Sequence, residues 1–175
     1  MVDLARPNDA GTNKSSSVVG FEAHDHTACV QTALRIADEH CAAKGLRFTS
    51  VRRKALEILL QEHRALGAYD VLESLHAAGF GSQPPVAYRA IDFLVDNGFA
   101  HKIEKLNAFV ACSKPGAAHS PAFMICRTCD LVVEGMSGPA RSVLGKAANE
   151  VGFTIEKSII EVEGICCSCA EQASA

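Results

Sequence analysis

The chain has 175 residues, 48% of them hydrophobic and 21% charged, a composition that suits a globular protein with room for two small cores. No apolar run reaches the roughly 18 residues of a membrane span, and no charged segment followed by an apolar one marks a secretory signal, so neither a membrane protein nor a secreted one is expected. Net charge is −3, from 17 Lys and Arg against 20 Asp and Glu, which by itself gives no support to nucleic-acid binding. Eight cysteines without a secretory signal point to a cytoplasmic location, where thiols serve as metal ligands rather than in disulfides.

Residues 1–26 carry Pro7, Gly11, Asn13 and three consecutive serines with no hydrophobic period, and are expected to be a disordered tail. From Thr27, Val30, Leu34, Ala37 and Cys41 recur at helical spacing, with Gly45 as a stop. A second helix is predicted from Ser50, capped by Thr49, with Val51, Ala55, Ile58 and Leu59 on one face. A third covers Tyr69 to Ala78 and stops at Gly79. A fourth starts at Pro84 and Pro85, where missing N–H groups cost nothing, and closes at Gly98. Helix, glycine-containing turn, helix is the helix-turn-helix pattern. Phe99 to Glu104 and Ala108 to Cys112 read as the strands of a hairpin, so residues 27–112 are expected to form a winged-helix domain. Within it, residues 44–64 hold six basic residues, Arg52 among them, against Glu57 and Glu62. That run suits either phosphates or an ordinary solvated helix face.

Residues 113–121 read as a linker, by their Pro, Gly and small residues. Beyond it, residues 122–170 are predicted to form a small α/β domain: strands at Ala122 to Cys126 and Leu131 to Glu134, a helix over Ala140 to Val151, and a long strand over Phe153 to Val162. So small a core invites pairing with a second copy, which also covers an edge strand. Residues 171–175 are left as a tail. The fold class is therefore α+β: an N-terminal winged helix-turn-helix domain and a small C-terminal α/β dimerisation domain.

Two motifs carry the chemistry of the second domain: Cys126-Arg-Thr-Cys129 and Cys166-Cys-Ser-Cys169. Each pair places two thiolates on a tight turn, and four thiolates complete a tetrahedral zinc shell. A redox pair or inert buried thiols are the alternatives; a thioredoxin-like site wants a βαβ context around a single motif. A second set is legible only weakly from spacing. His101 and Cys112 lie on the hairpin, His119 in the linker and Glu134 at a strand end, all competent zinc ligands, although residues of these types are more often simply solvated. No nucleophile–base–orienter triad or phosphate-cradling glycine loop is legible, and no catalysis is expected.

The run Pro84-Pro-Val-Ala-Tyr88-Arg89-Ala-Ile-Asp-Phe-Leu-Val-Asp-Asn-Gly98 resembles the recognition-helix signature of the ferric uptake regulator family of metal-sensing repressors. Phe48-Thr-Ser-Val-Arg52, Ala68-Tyr69-Asp70, His101-Lys102 and both cysteine motifs match in the same order, and within the family the chain is most similar to the zinc uptake regulator branch. The resemblance implies a homodimeric, zinc-responsive repressor of zinc-uptake genes that binds palindromic double-stranded operators. It implies two zinc ions per chain, one structural at Cys126, Cys129, Cys166 and Cys169 and one regulatory at His101, Cys112, His119 and Glu134. Tyr69 and Arg89 match positions that face DNA, Arg89 suiting a guanine edge; Arg52 is taken with them, and Tyr88 as core or as a wedge against DNA. No membrane or small-molecule substrate is implied. The pattern departs from the family at Thr49-Ser-Val-Arg52 and at Val86-Ala87. The histidine cluster of iron-sensing members is reduced here to His119, and the thiolate of Cys112 favours zinc over iron. An iron- or peroxide-responsive regulator of the same family is the alternative.

Overall fold

A computed structural model describes residues 26–61, 64–81, 83–116, 119–156 and 158–172. The tail expected at 1–26 lies outside them, apart from His26, as do 173–175. Four helices come first: α1 (His26–Ala43), α2 (Ser50–Gln61), α3 (Ala68–Ala77) and α4 (Pro84–Asp96). Each buries one narrow face. Ala33, Ala37 and Cys41 of α1, Ala55, Leu56, Ile58 and Leu59 of α2, Val71 and Leu75 of α3, and Ala87, Ala90, Ile91 and Leu94 of α4 are all buried.

Local sequence sets the ends of these helices. Asp70 accepts the N–H of Gly67 at 2.8 Å, placing a carboxylate at the start of α3. The prolines of α4 occupy its first positions, and Gly98 follows it at φ 70, a left-handed conformation that costs glycine little.

The hairpin β1 (Ala100–Ile103) and β2 (Ala108–Ala111) follows α4 directly, with His101 opposite Val110. Asn107, at φ 46, closes its turn. The second sheet has the order β4–β3–β5, built from β3 (Pro121–Cys126), β4 (Val132–Met136) and β5 (Ile160–Gly164), with β3 antiparallel to β4 and parallel to β5. The long strand predicted from Phe153 is therefore shorter and starts later. Its pairing with β3 runs only from Ala122–Ile160 to Cys126–Gly164, and the strand is the five residues so paired. A short helix, α6 (Cys167–Gln172), was not foreseen, and it takes in two residues assigned above to a tail.

The helix between β4 and β5, α5 (Gly138–Glu150), buries none of its residues within the chain. The wing, by contrast, is not a free arm. Ile103 and Val110 share one apolar cluster with Phe123, Ile125 and Val132 of the second sheet. A backbone bridge from Arg64 to Leu131 adds to this junction.

Candidate metal centres and nucleic-acid surface

Each cysteine pair sits where a strand ends. β3 runs into Cys126, the backbone turns through Asp130 at φ 56, and β5 delivers Cys166 beside it. Parallel pairing of β3 with β5 brings the two C-x-x-C motifs to the same end of the sheet. The four sulfur atoms lie within 4.8 Å of one another, and Cys129 Sγ is 3.7 Å from Cys166 Sγ. Tetrahedral zinc at about 2.3 Å from each sulfur sets neighbouring thiolates about 3.8 Å apart, so the donor set fits that ion.

The thiols divide the labour of charge unequally. Cys126 Sγ accepts the N–H of Cys166 at 3.3 Å. That amide, and then the amide of Thr128, bring its pKa down to about 6. Cys169 goes the other way, up to about 12, because its proton is shared with the sulfur atoms of Cys166 and then Cys129. A cation that replaces such protons gains the whole cluster as ligand.

The second set crosses the junction. His101 comes from β1, Cys112 from the end of β2, His119 from the segment leading into β3 and Glu134 from β4. Their ligand atoms also lie within 4.8 Å of one another. His119 Nε2 is 2.7 Å from Glu134 Oε1 and 3.5 Å from Cys112 Sγ.

His101 Nε2 is buried without a hydrogen-bond partner among the described residues, 3.8 Å from the same carboxylate oxygen. An orphaned buried nitrogen is costly, and a metal ion in the set would satisfy it. Burial lowers the His101 pKa and keeps the ring neutral, the form that ligates. Burial, and then the Glu134 charge, push the Cys112 thiol up to about 12, so metal entry must displace its proton.

Sequence reasoning missed what holds these ligands. Ser113 N–H donates to Glu134 Oε2 at 2.8 Å, and Lys114 N–H to Cys112 Sγ at 3.3 Å. Both donors are backbone, which leaves no mark in residue identity.

The residues singled out for DNA divide. Tyr69, 70% exposed, and Tyr88, 43% exposed, stand open with Arg89 on the helix-turn-helix, which leaves Tyr88 outside the core. Arg52 is placed differently. Its guanidinium lies 3.7 Å above the Phe93 ring and donates to the Arg47 carbonyl, anchoring α2 on α4. Arg53 pairs with Asp38 and Lys54 with Glu57, so half of the basic run is occupied within the chain.

The fold and these side chains define a winged-helix protein with two clustered sets of metal-ligand residues. No family model matches the chain. It is 34% identical over 144 residues to the zinc uptake regulation protein of Escherichia coli (strain K12), covering 81% of this chain and 83% of that one. It therefore belongs to the ferric uptake regulator family, in the zinc uptake regulator branch. Among solved structures, a zinc uptake regulator complexed with zinc and DNA superposes with a TM-score of 0.79 at 33% identity, covering 83% of this chain and 98% of that one. Holo XcZur gives 0.72 at 38% identity, covering 80% and 98%.

Proposed function

We propose that this protein is a zinc-responsive transcriptional repressor of zinc-uptake genes, acting in the cytoplasm as a homodimer on palindromic double-stranded operators. The observation that carries this reading is the origin of the mixed set: two ligands from the wing, one from the linker and one from the second sheet. Zinc supplies the positive charge that this set of two imidazoles, one thiolate and one carboxylate lacks. His101 and Cys112 can meet Glu134 only when the wing lies against β4. Occupation of the set and orientation of α4 are thus one equilibrium, and residues 113–121 are the hinge across which it acts.

The remaining roles follow from placement. Cys126, Cys129, Cys166 and Cys169 hold a structural zinc, giving two ions per chain. Tyr69, Arg89 and Tyr88 face DNA from the winged helix of residues 27–112, and Arg52 contributes by holding α2 against α4. Residues 122–170 form the dimerisation domain. Support for that last role comes from α5 and its surroundings, where Val143, Leu144, Val151, Phe153 and Val162 are exposed. A second copy of the chain covers such a surface.

The test is selection of genomic DNA fragments by the purified protein at two buffered free-zinc levels, with metal content measured on the same samples. Capture only at the higher level, alongside a second zinc per chain, is the expected result. Zinc-independent capture removes the sensing role. Capture driven by ferrous or manganese ions instead moves the reading to an iron- or peroxide-responsive regulator.

A further inference from the structure

Two carboxylates flank Phe123 at one register of the second sheet. Glu134 of β4 is paired with it on one side and Glu161 of β5 on the other. Side chains at one register of neighbouring strands project from the same face, so both carboxylates face the wing. Glu134 belongs to the mixed set. Glu161 belongs to neither site described above.

The half-buried Glu161 carboxylate is spent on the backbone of the wing. One oxygen accepts the N–H of Glu104 at 2.6 Å and the other the N–H of Lys105 at 3.0 Å. Those two amides open the turn between β1 and β2. Lys105 also pairs with Glu163, two residues along β5 on the same face. The hairpin is therefore gripped at both ends by the sheet: at Ser113 by Glu134, at its turn by Glu161. Between the two grips, Ile103 and Val110 pack with Phe123 and Ile125.

We propose that Glu161 is a positioning residue that clasps the wing turn to the second sheet and holds the docked arrangement in which the mixed metal set is assembled. The inference rests on the function proposed above. Docking brings His101 and Cys112 to Glu134, so stability lent to the docked arrangement lowers the zinc concentration that fills the set. Affinity of the loaded protein for DNA is untouched, because every loaded chain is already docked. A glutamate that served only the fold would change unfolding and leave the zinc dependence where it was.

The experiment compares the full-length protein with Glu161→Ala and Glu161→Gln, each loaded at its four-thiolate set. DNA binding is titrated against buffered zinc, and amide hydrogen exchange of Glu104 and Lys105 is followed with the mixed set empty. For alanine the half-saturating zinc rises about tenfold, affinity at saturating zinc is unchanged, and both amides exchange faster. Glutamine keeps one acceptor and loses the charge, so its shift is smaller, about threefold.

A wild-type half-point with wild-type exchange in the alanine variant overturns the clasp. Weaker binding at saturating zinc with an unmoved half-point overturns it too, since Glu161 would then act in the DNA-bound geometry. Should the alanine variant not fold, an unmoved half-point in the glutamine variant is decisive against it. Failure of the wild-type protein to bind DNA in response to zinc sinks the proposed function instead, and the exchange rates still decide the clasp.

Discussion

Arg52 and Arg53 are neighbours in sequence with the same charge, yet each is taken up by a different distant residue: Phe93 below one, Asp38 beside the other. Charge counted along a sequence takes no account of such partners, which is why the basic run by itself left phosphate contact and a solvated helix face both open. Arg89 is exposed on α4 and carries the sharper prediction. Replacing it with alanine should cost about 1–3 kcal/mol of specific DNA binding, read as a relaxed preference at one base position, because a bidentate contact to a guanine edge is of that size. Cys112 was legible as a thiol, but its role depends on three residues from other segments. Zinc should raise DNA affinity by about 5- to 150-fold, the usual range of allosteric coupling, and Cys112→Ser should reduce that gain. Metal analysis and sedimentation of that variant should still find the four-thiolate zinc and a dimer. A zinc response equal to wild type would remove Cys112 from the ligand set.

Helical period predicted α2, α3 and α4 to within a residue or two, since one face of each packs on its neighbours and the spacing of apolar residues records it. Leu94 lies at the centre of that packing with no exposure. Leu94→Ala should cost about 2–5 kcal/mol and lower the midpoint of thermal unfolding by roughly 5–15 °C, with calorimetry as the check. Strands were harder. Period two marks a strand face, but its length is set by its partner, and β5 is cut to the five residues that β3 can pair. The α5 helix shows the converse limit: its apolar residues are spaced for burial, and none of them is fully buried among the described residues.

At the scale of the whole molecule, two centres of metal-ligand residues stand in different relations to the fold. The four thiolates join the ends of β3 and β5 inside one domain, so emptying them should unfold the second sheet rather than tune it. A strong chelator, or Cys126→Ser, should abolish both strand signal in circular dichroism and dimerisation, and a folded dimer surviving without metal would deny the structural role. The mixed set bridges two domains already joined by apolar packing, so its loss should leave both intact. By itself the sequence determined helices α1 to α5, the wing and the cysteine pairs, because each depends on residues close together along the chain. His101, Cys112, His119 and Glu134 were grouped by family resemblance and only weakly by spacing; tertiary structure decided how they converge, that Arg52 turns inward and that Glu161 reaches the wing. Those contacts depend on packing rather than on local sequence: the mixed set and the Glu161 contact follow from how β3 pairs with β4 and β5, and the turn of Arg52 from how α2 packs on α4.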